Sequence, residues 1–169
     1  TNAGPLVIAP GDSSIDLLLE TDTTLGGADA PPVTAHAKTM ITFAQSMPAQ
    51  WRPLNVLADD FVCYNWHWYN PDDPERNAWS GPINLVNPES RITLNVYSQT
   101  DRTIRLNGQI SGPGGIKTSG TGRYFFSYPS NTWTGASTFT ATNWPGCWQF
   151  DYAGPLSADS YSTCLPRGG

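Results

Sequence analysis

His36 and His67 are the two side chains whose ordinary titration falls near neutrality. Both sit in runs that alternate like strands, and neither belongs to a G-x-S-x-G or H-E-x-x-H motif. Each reads as a structural or surface residue rather than a general base. The pairs Asp59-Asp60 and Asp72-Asp73 raise the question of glycoside hydrolysis, which needs two carboxyl groups about 5–10 Å apart across a cleft. Neighbours on a strand point to opposite faces, so neither pair supplies that geometry alone. Asp72, Asp73 and Glu75 offer oxygen ligands of the kind Ca²⁺ takes, but the run Asn70-Pro71-Asp72-Asp73-Pro74 reads first as a solvated turn. The expectation is a protein that is not an enzyme, with no catalytic, cofactor-binding or metal residue.

The cysteines Cys63, Cys147 and Cys164 are too far apart for a metal-binding pattern. One reading makes them small buried hydrophobes. The other makes them candidate disulfide or intersubunit thiols: one intrachain bridge, most easily Cys147 to Cys164, and an odd thiol for a bond between copies.

Aromatic side chains are the most specific feature. Trp66, Trp68 and Tyr69 crowd one run (FVCYNWHWY, 61–69), while Trp51 and Trp79 lie at breaks, where rings are often half exposed. Three roles compete for them: filling a core, making subunit contacts, or stacking on sugar rings.

Such residues must be positioned by strands. The chain has 169 residues, only three Glu and two Lys, but 16 Gly and 15 Pro. Helical domains of this size normally carry many Glu and Lys. Hydrophobic residues make up 38% and the net charge is −5, which argues for a packed core and against disorder. The basic residues form no cluster, so direct nucleic-acid binding is not expected. No apolar run approaches a membrane span, and no signal peptide is visible.

Residues 33–44 alternate with period two and read as one unusually long strand. Residues 91–98 and 103–110 alternate as well, and Asn107-Gly108 marks a hairpin. Residues 70–82 and 111–122 read as long loops. No internal repeat is visible, which argues against a propeller or solenoid. The expected architecture is all-β: one β-sandwich domain over 1–169, a jelly roll of about eight strands, with an Ig-like sandwich as the alternative. Residues 1–10 would be an N-terminal arm and 157–169 a C-terminal tail.

Two resemblances accompany this reading. Residues 143–152 (NWPGCWQFDY) resemble the closing strand of some secreted bacterial Ig-like domains. By size, all-β pattern, leading arm and Pro-rich loops, the whole chain resembles the small major capsid protein of tailless, membrane-containing phages of Thermus. That resemblance implies a vertical jelly roll and self-assembly into an icosahedral virion shell. It further implies a second capsid protein as partner, an internal membrane nearby, and no catalytic residues. The odd cysteine would allow a disulfide-linked dimer. The rival expectation is a secreted carbohydrate-binding or adhesin-like domain that uses the exposed aromatics.

Overall fold

The computed structural model describes residues 4–9, 11–20, 22–43, 47–65, 76, 78–96, 103–120, 123–126, 128, 130–140, 147–150 and 161–163. Through these residues the chain winds into a β-solenoid of about four turns. Strands β1 (Leu6–Ile8), β2 (Ile15–Leu19), β3 (Val33–Ala35) and β4 (Thr39–Phe43) begin it. The first two three-strand turns are β5 (Leu54–Val56), β6 (Phe61–Asn65) and β7 (Ala78–Trp79), then β8 (Ile83–Leu85), β9 (Arg91–Val96) and β10 (Thr103–Leu106). Next come β11 (Ile110–Gly112), β12 (Gly115–Gly120) and β13 (Arg123–Phe126), then β14 (Thr132–Trp133), β15 (Thr138–Thr140) and β16 (Cys147–Phe150). A final strand, β17 (Tyr161–Thr163), adds to the second sheet.

Stacked turns build three sheets. The first face runs β1-β3-β5-β8-β11-β14, the second β2-β4-β6-β9-β12-β15-β17, and the third β7-β10-β13-β16. Every pairing between these strands is parallel. The expected jelly roll is therefore overturned, and the Ig-like alternative with it. Both are built from antiparallel strands, whereas here each strand pairs with the strand one turn away.

Alternating residues supply the core. On the first face Val33, Leu54, Ile83 and Ile110 stack inward in register, beside a second column of Ile8, Ala35, Val56 and Leu85. The second face contributes Phe61, Ile92 and Ile116, then Ile41, Cys63 and Leu94. Trp79, Leu106 and Phe126 stack on the third. Burying each such side chain is worth about 1.5–3 kcal/mol, and the columns run the length of the coil.

The expected single strand over 33–44 is two strands on two faces. Residues 36–38 turn the corner between them, with Lys38 at φ 57°. The turn preserves parity: Val33, Ala35, Thr39, Ile41 and Phe43 are all buried on either side of the corner, and only Ala37, within the corner itself, breaks the alternation by being exposed. Asn107-Gly108 is likewise a corner and not a hairpin. Both of its N–H groups donate to the Trp79 carbonyl one turn back, at 2.9 and 3.2 Å. The expected loop over 111–122 contains β11 and β12 instead.

The corners require small residues because successive turns approach closely. A Cβ on Gly115 would lie 1.9 Å from the Ala136 carbonyl oxygen. Asn131 and Ser137 complete ladders with side chains. Asn131 Oδ1 accepts the N–H of Ile110 at 2.6 Å, and Ser137 Oγ accepts that of Ile116 at 3.0 Å. Turn length is uneven: Leu54 pairs with Val33, 21 residues earlier, but with Ile83, 29 residues later. Such variable spacing hides the repeat.

Part of the expected arm, Leu6–Ile8, is β1, paired with β3 of its own sheet. In the expected tail, Tyr161–Thr163 is β17, paired with β15.

Candidate functional site

The corner that leads into β5 fixes one aromatic side chain outward. Gln50 is fully buried and bridges to Trp79 on the third face, donating its N–H to the Ala78 carbonyl at 2.9 Å. Its side chain accepts the Leu25 N–H at 2.9 Å and donates to the carbonyls of Thr23 and Pro48. Two residues on, Arg52 is also buried, and its guanidinium donates to the carbonyl oxygens of Pro31, Leu25 and Gly4. These contacts satisfy a cation that burial would otherwise penalise heavily. They also close the start of the coil, because residues 22–32 are tied to both side chains. With Gln50 and Arg52 held inward, Trp51 between them projects outward and is 48% exposed.

The same corner in later turns carries Ser80 and Asn107, joined by an Nδ2 to Oγ contact of 3.5 Å, and then the half-buried Tyr128. Between them lie Gly81 and Gly108, which present no side chain and let the turns stack.

Next to this corner is the outward column of the first face. In register order it reads Val7, Thr34, Asn55, Asn84, Ser111 and Thr132. After Val7 every side chain is a hydroxyl or a carboxamide, and none is charged. Strands spaced about 4.8 Å apart place the five polar groups along about 19 Å. Among the described residues, Thr34, Asn55, Asn84 and Thr132 have no side-chain hydrogen-bond partner. The face thus offers a row of neutral donors and acceptors, four of the five unengaged, with an aromatic ring at its edge.

The other residues singled out in the sequence have different fates. Trp79 is 2% exposed and belongs to the core; its Nε1 is buried without a hydrogen-bond partner. Trp66, Trp68 and Tyr69 lie outside the described residues, as do His67, Asp72, Asp73, Glu75 and Cys164. Cys63 is a free thiol buried between Ile41 and Leu94, and burial pushes its pKa from 9.0 to about 12. In the folded chain it is a small hydrophobe and offers no bridge to another copy. Cys147 begins β16, opposite Arg123 of β13. Asp60 accepts the Lys38 N–H at 2.7 Å and so serves the corner after β3. Among the described residues, no three His, Cys, Asp or Glu side chains group to hold a metal ion. No helix among them is long and apolar enough to cross a membrane.

The sequence reading named Trp51 but missed the polar column. Thr34, Asn55, Asn84, Ser111 and Thr132 are scattered along the chain, and only the parallel register aligns them. No protein-family model, no curated protein and no solved structure matches this chain.

Proposed function

We propose that this chain is a non-catalytic recognition module that binds an uncharged polysaccharide along the first face, in an extracellular setting. The carrying observation is Trp51, held outward by buried Gln50 and Arg52 at the edge of the uncharged column Thr34–Asn55–Asn84–Ser111–Thr132. An exposed indole face suits the apolar face of a pyranose, and hydroxyl and carboxamide groups suit its hydroxyls. An uncharged face favours a neutral polymer over an acidic one, because it offers no cation to pair with carboxylate or sulfate. A repeated row suits a repeated ligand, since weak contacts at successive turns add through avidity. The resemblance to a virion-shell protein implied a vertical jelly roll, and the parallel solenoid contradicts that implication.

The test is affinity electrophoresis through gels holding neutral or acidic polysaccharides. Retardation by a neutral polymer is expected, with about a tenfold loss in Trp51→Ala and in the pair Asn55→Ala/Asn84→Ala, equivalent to about 1.4 kcal/mol each. Equal retardation of wild type and both variants, or none by any neutral polymer, would overturn the proposal.

A further inference from the structure

The first turn of the coil differs from the rest in charge and exposure. Residues 1–37 hold Asp12, Asp16, Glu20, Asp22 and Asp29, and no Lys or Arg. The whole net charge of −5 therefore falls there, and the remainder of the chain is balanced. Three large apolar side chains stand exposed on the same turn: Val7 at 58%, Ile15 at 41% and Leu18 at 51%. Leu6, Leu17 and Leu25 are only partly buried against the core.

Among the described residues, strand β2 ends its sheet on one side, as β17 does on the other. Its Ile15 N–H donates inward to the Lys38 carbonyl at 3.1 Å. The alternation of a parallel ladder then turns the main-chain N–H and C=O groups of Asp16 and Leu18 to the open side. Beside that edge, a groove of about 280 Å³ is lined by the apolar Ile15, Met40 and Val62 and by the charged Asp16, Asp60 and Lys38. The Lys38 ammonium is drawn toward the preceding loop, its Nζ donating to the Asp12 main-chain carbonyl at 2.9 Å, and the two carboxylates of the groove outnumber it. Asp16 also accepts the Thr42 hydroxyl at 2.7 Å, which holds its carboxylate on the outer face.

We infer that the β2 edge docks an extended cationic strand from a partner protein, added to the second sheet by main-chain pairing with Asp16 and Leu18. An open edge supplies affinity through backbone hydrogen bonds, and alternate side chains supply selectivity. A Lys or Arg opposite Asp16 would meet its carboxylate, and apolar residues on the inner side would cover Leu17. Charge chooses the occupant. A second copy docked by the same end would bring another five carboxylates against these, and the remainder of a copy carries no net positive charge to attract them.

Binding of three short synthetic peptides to the full chain tests this, followed by fluorescence anisotropy. One alternates Val and Lys, one alternates Val and Glu, and one is the Val/Lys peptide with alternate amides N-methylated. The Val/Lys peptide should bind at least tenfold more tightly than the other two. It should also slow hydrogen exchange at the Asp16 and Leu18 amides and lose affinity at raised salt. Leu18→Pro, which removes one edge N–H at a half-exposed position, should abolish binding. Leu18→Ala, which keeps the N–H, should retain most of it and guards against misfolding. Equal binding of all three peptides, binding of none, or protection elsewhere with the Asp16 and Leu18 amides unchanged would overturn the inference. So would concentration-dependent self-association that slows exchange at those two amides.

Discussion

Gly108 lies directly over Gly81: a Cβ on Gly108 would come within 1.9 Å of the Gly81 carbonyl oxygen. The obstacle is backbone, held one turn below by its own ladder, so it has little room to retreat. Gly108→Ala is therefore expected to destabilise the fold by about 2–3 kcal/mol and to lower Tm by about 4–12 °C. Gly27, with nothing within 4 Å of its own Cβ position, is the control, and Gly27→Ala should be neutral within about 0.5 kcal/mol. Thermal unfolding by circular dichroism separates the two.

Arg52 links three carbonyl oxygens from residues far apart in the sequence. Arg52→Ala should cost about 3 kcal/mol by leaving those acceptors in a closed corner without their donor. Lysine offers a point charge in place of the planar fork, so Arg52→Lys should recover only part of the loss. Residues 22–32 are the first expected to open. Limited proteolysis of the variant, read by mass spectrometry, should show earlier cleavage there than in wild type.

Trp51 and Trp79 should respond in opposite ways. Trp51→Ala removes an exposed ring and should leave stability within about 0.5 kcal/mol of wild type. Trp79→Ala empties a core position and should cost about 3–5 kcal/mol. Trp79→Phe keeps much of the apolar contact and deletes the unpartnered Nε1, so its loss should be clearly smaller. Denaturant titration of the three variants checks the order.

Burial pushes the Cys63 thiol up to about 12 from an unfolded value of 9.0. Below pH 9 the thiol is protonated in both states, and its contribution is fully present. Between pH 9 and about 12 the unfolded chain loses this proton and the folded chain keeps it. Stability from this group then falls with rising pH, by up to about 1.4 kcal/mol per unit. Cys63→Ala should flatten that part of the pH profile. At pH 8 iodoacetamide should modify Cys63 only in denaturant, as peptide mapping of native and unfolded protein would show.

How much was legible depends on the element. Residues 33–44 show both sides: alternation puts Val33, Ala35, Ala37, Thr39, Ile41 and Phe43 on one face and all but Ala37 are buried, but the corner at 36–38 that exposes Ala37 was invisible because it consumed an even number of alternation steps. Asn107-Gly108 carried a true turn signal whose partner was wrong. Its glycine answers a close approach from the turn below, a demand that arises only once the coil is stacked. Among the aromatics, Trp51 and Trp79 both sit in breaks that contain Pro, and nothing local tells which of the two rings turns inward.

Composition and period-two alternation by themselves determined that the chain is all-β with a packed core, and that Gly and Pro gather between its strands. Only the tertiary structure decided that the strands run parallel in a solenoid, because alternation has the same period in parallel and antiparallel ladders. It also decided which break turns its tryptophan inward. Gln50 pairs with Trp79 across the third face, both point into the coil, and Trp51, next along the chain, is left facing out. The uncharged row of Thr34, Asn55, Asn84, Ser111 and Thr132 exists for the same reason: residues 21 to 29 positions apart become neighbours only when whole turns stack in register.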